Sequence, residues 1–128
     1  MKRVTCIGGI FFQARDPVAL TAWYRKHLGI DVKPWGGAAF DWTDDAGKPT
    51  GGTTAWSIGA ADGDQFAPST APFMVNYRVA DLHALLQALR DEGCKVLEKT
   101  DESEYGKFGW VMDPEGNKVE LWEPPEGG

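Results

Sequence analysis

Glu120 stands in the run Lys118–Trp122, where Val119 and Leu121 read as the buried face of a strand. Alternation then groups Lys118, Glu120 and Trp122 on the other face. A carboxyl group among aromatic rings is desolvated, which raises its pKa. Such a group suits general acid/base work or hydrogen bonding to a bound molecule. The run Phe73–Val79 repeats the pattern: Phe73, Val75, Tyr77 and Val79 share one face, and Met74, Asn76 and Arg78 the opposite one. Asn76 and Arg78 become the nearest polar neighbours of Glu120, and an Arg78–Glu120 pair is one outcome of that placement. Trp42, Tyr105, Phe108 and Trp110 lie on strands or loops able to line the same surface. Rings there would stack on flat ligands or cover cations, with simple core packing as the competing role.

Two helices must hold these strands. Asp16-Pro17 is an N-cap followed by proline at the first helical position. Leu20, Trp23, Tyr24, His27 and Leu28 then follow helical spacing up to Gly29, which predicts one buried stripe. Asp81 caps a second such segment, with Leu82, Leu85, Leu86 and Leu89 ahead of Gly93.

Val4–Gln13 precedes the first helix, and the strand candidates 31–35, 38–42 and 53–58 follow it. Phe73–Val79 precedes the second, with 95–99, 108–112 and 118–122 after it. Asp113-Pro114-Glu115-Gly116-Asn117 is a turn between the last two. The order βαβββ thus occurs twice, with the caps 65 residues apart. This predicts an α+β fold of two tandem modules, 4–62 and 72–124, in one domain over 1–128, joined by the polar linker 63–72.

Counting back from the caps sets Gly9, Phe11 and Gln13 against Met74, Asn76 and Arg78. Glu120 lies 46 residues after Met74, and counting 47 after Gly9 reaches Trp56. Gly9, Trp56, Met74 and Glu120 are therefore expected as four related positions on a cavity face.

Composition removes several function classes. Of 128 residues, 42% are hydrophobic, enough for a core rather than a disordered chain. Thirteen basic against 19 acidic residues give a net charge of −6, which disfavours nucleic acid and anionic membrane surfaces. The longest apolar run, Cys6–Phe12, is far too short to span a bilayer and lacks a cleavage signal, so the chain reads as cytoplasmic. Cys6 and Cys94 read as buried, unpaired thiols. His27 and His83 lie on the helices, behind the sheet, and read as structural. The acidic stretch 101–106 reads as a solvated loop or a mobile lid.

Two segments carry a family resemblance: Asp16-Pro17 through Trp23-Tyr24-Arg25-Lys26-His27-Leu28-Gly29, and Asp113-Pro114-Glu115-Gly116-Asn117-Lys118-Val119-Glu120-Leu121-Trp122-Glu123-Pro124. They resemble the vicinal oxygen chelate superfamily of glyoxalase I, bleomycin and fosfomycin resistance proteins and extradiol dioxygenases. The resemblance implies a cupped eight-stranded mixed sheet with a helix behind each half, and a homodimer.

Metal-dependent members hold a divalent ion with His, Gln or Glu at four positions, which fall here on Gly9, Trp56, Met74 and Glu120. Of these only Glu120 offers an oxygen donor, so no metal and no other cofactor is expected. The resemblance then implies a binding protein for an aromatic or heterocyclic small molecule, like the bleomycin resistance proteins. Trp56, Trp110 and Trp122 would stack on it, Asn76, Arg78 and Glu120 would orient it, and Phe11, Trp42, Met74 and Tyr105 would complete the wall. The alternative is a lyase, isomerase or dioxygenase with a divalent ion at Glu120, and a third reading is an accessory domain for protein contacts.

Overall fold

The computed structural model describes residues 3–126. In chain order the elements are β1 (Val4–Ala14), α1 (Pro17–Leu28), β2 (Gly37–Thr43), β3 (Pro49–Ala60), β4 (Phe73–Val79), α2 (Leu82–Asp91), β5 (Lys95–Ser103), β6 (Gly106–Met112) and β7 (Lys118–Glu123). The strands form one sheet in the order β2-β3-β1-β4-β7-β6-β5. The two halves meet where β1 pairs antiparallel with β4, and each half contains one parallel pair, β1–β3 and β4–β7. The parallel pairs follow from the helical crossover that separates their two strands within each half.

The sheet has seven strands rather than the eight expected, because residues 31–35 form no strand. Pro34 removes a backbone donor and restricts Lys33, while Gly36 turns the chain at φ 95°. Local bonds hold the segment instead: Arg25 donates to the Val32 carbonyl at 2.7 Å, and the Lys33 amide donates to the Gly37 carbonyl. Val32 still inserts into the core, so the segment keeps its apolar anchor without joining the ladder.

Both helix starts form as their caps dictate. The Asp16 carboxylate accepts from the Ala19 amide at 3.0 Å, and Asp81 accepts from Ala84 at 3.2 Å. α1 stops at Gly29 with φ 67°, a left-handed conformation that glycine adopts without a Cβ penalty. α2 buries Leu82, Leu85 and Leu86 against Val79 and Leu121, with Val111 and Val119 packed around them. The expected stripe of α1 is only half covered. Tyr24 packs on Phe12 and Trp56, whereas Trp23 and Leu28 stay exposed and Thr21 is the buried residue.

Two further expectations are corrected. The stretch 101–106 is strand and turn rather than a loop: β5 runs through Ser103, which pairs with Gly106 across a tight hairpin. Cys94 is exposed and Cys6 half-buried, since Cys94 falls in the connection leaving α2. Both cysteines are free. Among the described residues no helix is long and apolar enough to cross a membrane.

Candidate functional site

Strand register decides which side chains share the face opposite the helices. β4 and β7 run parallel with Asn76 opposite Glu120 and Arg78 opposite Trp122. β6 adds Trp110 opposite Glu120 and Phe108 opposite Trp122. The expected set on β4, β6 and β7 therefore lies together on one face.

At its centre Glu120 is 9% exposed and accepts two hydrogen bonds, from Asn76 Nδ2 at 2.6 Å and from Trp110 Nε1 at 3.0 Å. Burial pushes its carboxyl above the usual carboxylate range. The two donors and the Lys118 ammonium pull it back part of the way, and Asp101 adds to the rise. Lys118 lies over the Trp110 ring at 5.3 Å and donates to the Gln65 carbonyl, and its own pKa is lowered by burial.

Arg78 takes a different place from the pairing with Glu120 that alternation allowed. Its guanidinium lies 5.8 Å from the Trp42 ring and 5.9 Å from the Trp122 ring. Trp122 in turn stacks on Phe108, with centroids 6.3 Å apart and planes 13° from parallel. All three indole N–H groups on this face are satisfied within the protein. Trp42 donates to Thr54 Oγ1, Trp110 to Glu120 and Trp122 to the Tyr105 carbonyl. The three rings are half-buried, with Lys118 over Trp110, Phe108 stacked on Trp122 and Arg78 against Trp42 and Trp122.

The floor is made by β1. A register shift between Ile7 and Gly9 against β4 marks a bulge, and a Cβ on Gly8 would run into Asn76 Oδ1 and approach the Trp122 ring at 3.0 Å. Asn76 is 3% exposed, and its Oδ1 has no hydrogen-bond partner. Gly8→Ala is expected to displace this amide and cost about 1–3 kcal/mol, read from the urea unfolding midpoint. Phe11 folds over Gly9 and pairs with Met74, which is buried and forms floor rather than wall.

Two expected wall residues are elsewhere. Trp56 points to the helix side, where its ring packs on Tyr24 at 5.1 Å and Phe12 at 5.6 Å. The register pairs Gly9 with Ala55, 46 residues on, so the count to Trp56 overshot by one and crossed the sheet. Tyr105 is 69% exposed at the β5–β6 turn, and its carbonyl serves the site by accepting from Trp122. Sequence reasoning left out Gly8 and gave Lys118 no role. The alternation that selected Glu120 had already placed Lys118 beside it.

The donor set does not suit a metal. Gly9, Ala55, Met74 and Glu120 supply one carboxylate, a thioether and two positions without any donor. Among the described residues no three His, Cys, Asp or Glu side chains cluster. His83 bonds Glu102 at 3.1 Å and His27 packs on Trp23, both away from Glu120. A roomier cleft of about 1080 Å³ lies on the helix side, between Leu20, Trp23 and Tyr24 of α1 and Pro72. Asn76, Arg78, Trp110, Lys118, Glu120 and Trp122 are not among its lining residues.

The family model for the glyoxalase-like domain matches residues 9–122. Among solved structures the chain is similar to methylmalonyl-CoA epimerase from Streptomyces coelicolor, with TM-score 0.66, 20% identity, 94% of this chain and 98% of that one covered. It is also similar to methylmalonyl-CoA epimerase from Mycobacterium tuberculosis, with TM-score 0.61, 18% identity and coverages of 95% and 89%. A third is a glyoxalase/bleomycin resistance protein/dioxygenase superfamily member from Vibrio splendidus, with TM-score 0.58, 12% identity and coverages of 94% and 98%. No curated protein matches the sequence.

Proposed function

The chain belongs to the glyoxalase-like domain family, and from that premise we propose that its sheet binds a planar aromatic or heterocyclic small molecule without a metal. One observation carries this reading. Trp42, Trp110 and Trp122 are half-buried rings fixed by internal hydrogen bonds, around a carboxyl group already committed to protein donors. Fixed rings lose little rotamer entropy on binding, which favours affinity for a flat partner. Glu120 then orients the ligand through its remaining lone pairs. The homodimer expected from the family resemblance is part of the proposal, and sedimentation of the 14.0 kDa chain tests it.

Trp122→Ala removes a ring of the stack and is expected to weaken a bound planar ligand by about 1–3 kcal/mol, measured by calorimetric titration. Unchanged affinity would place the ligand off this face. A second reading has its own observation: burial raises the Glu120 pKa, which suits a general base at carbon. The epimerases named among the structural neighbours make that chemistry worth assaying. A rate that follows Glu120 ionisation and is lost in Glu120→Gln would favour it.

A further inference from the structure

Val4, Ile7 and Ile10 of β1 and Phe73 of β4 are 45%, 48%, 43% and 41% exposed, although their strands lie in the middle of the sheet. Register puts all four on the helix side. Their cross-strand partners are Val79, Tyr77, Val75 and Phe12. Val79 and Tyr77 pack with the leucines of α2, and Phe12 packs on Tyr24 of α1. The strip is bare because the helices stand to either side of it: α1 packs on β1 and β3, and α2 on β5, β6 and β7. Beyond Phe73 it meets Trp23, 49% exposed, in the cleft beside Pro72. We propose that this strip is the contact surface for a second copy of the chain, packed back to back. The assignment names the interface of the homodimer proposed above and rests on that reading.

Charge, symmetry and size select a copy over another occupant. Every strip residue is uncharged in a chain of net charge −6, so like-charged copies meet where neither carries charge. Arg3, at the Val4 end, is already paired with Glu92 at 3.0 Å. The strip also has a two-fold of its own. Ile10 and Val75 are register partners and stand 65 residues apart, the spacing of the repeat. A second copy therefore finds equivalent contacts at both ends, which suits an isologous interface. The five exposed side chains leave on the order of 400 Å² of apolar surface open, the class of patch that marks a contact site. They form the apolar centre, and the flanks of α1 and α2 the rim, of an interface of about 800 Å² per partner. Both β1 and β4 have a strand on either side, so the contact is sheet face on sheet face rather than strand addition. The faces that carry Glu120 then point outward, each complete within one chain.

The test is sedimentation equilibrium of the full chain from micromolar concentration upward, beside Ile7→Glu, Ile10→Glu and the control Val18→Glu. The wild type is expected to sediment as two 14.0 kDa chains. Either strip variant puts an unpaired charge into the apolar contact and should weaken the dimer by at least about 100-fold. Val18 is 81% exposed and lines a cleft with Trp35 away from the strip, so its variant should dimerise like the wild type. Ile7 and Ile10 are exposed in the single chain, so both variants should keep the wild-type circular dichroism. Ile7→Gln serves if a charged variant does not fold, and should also weaken the dimer. A wild-type dimer that survives both strip substitutions would overturn this interface and leave the homodimer standing, by edge pairing or exchanged modules. A wild type that stays monomeric throughout would overturn both and leave the strip to a different partner.

Discussion

Leu82→Ala is expected to cost about 3–5 kcal/mol of folding stability, the upper part of the range for buried leucine truncations. Leu82 is 0% exposed, opens α2, and packs with Val79, Leu86 and Leu121 under β7. A cavity there loosens the strand that carries Glu120. Since domains of this size are stable by only about 5–15 kcal/mol, the variant should lose a large share of its total. Leu28→Ala is the control: that side chain is 59% exposed, and its truncation should change stability by less than about 0.5 kcal/mol. Urea unfolding of both variants checks the contrast, and similar losses would show that α1 and α2 share the core more evenly than described.

Asn76→Ala is expected to cost about 2 kcal/mol at neutral pH and clearly less in acid. Asn76 donates the 2.6 Å bond that stabilises ionised Glu120, so the full loss appears only where that carboxyl is charged. Deleting the unpartnered Oδ1 offsets part of it. The wild type has its own pH dependence. Because burial raises the folded-state pKa of Glu120, the unfolded chain loses this proton first. The resulting contribution to stability falls as pH rises from the ordinary carboxylate range to the raised value. Removing Asn76 raises that pKa further and steepens the fall, whereas Glu120→Gln removes it. Thermal melts of the three proteins between acid and neutral pH measure the slopes. A slope unchanged by Glu120→Gln would show that Glu120 is not its source.

The fold was legible where local chemistry is strong. Asp16 and Asp81 cap as their positions dictate, and the alternation in Phe73–Val79 and Lys118–Trp122 places Asn76 and Glu120 on one face. The superfamily resemblance agrees with the family match and the structural neighbours. What failed depended on register. The count from Gly9 ran one residue too far, 47 rather than the 46 that reach Ala55, and one residue is enough to move Trp56 across the sheet. The repeat itself held the answer, because an offset of 65 maps Trp56 onto Leu121, a core residue facing α2. The missing strand at 31–35 and the half-open face of α1 depend on Pro34, Gly36 and long-range packing, which a hydrophobic period does not encode. The choice of Asn76 over Arg78 as partner to Glu120 is likewise three-dimensional: Trp42 arrives from the other half of the chain and engages Arg78.

The most direct measurement titrates chelator-treated protein in parallel with planar aromatic molecules and with Zn²⁺ or Mn²⁺, following tryptophan fluorescence and melting temperature. Saturable one-to-one quenching by the organic ligand, unaffected by chelator, is expected, with no stoichiometric rise in melting temperature with either ion. A one-to-one metal-induced rise that disappears in Glu120→Gln, or ligand binding that requires the metal, would contradict it.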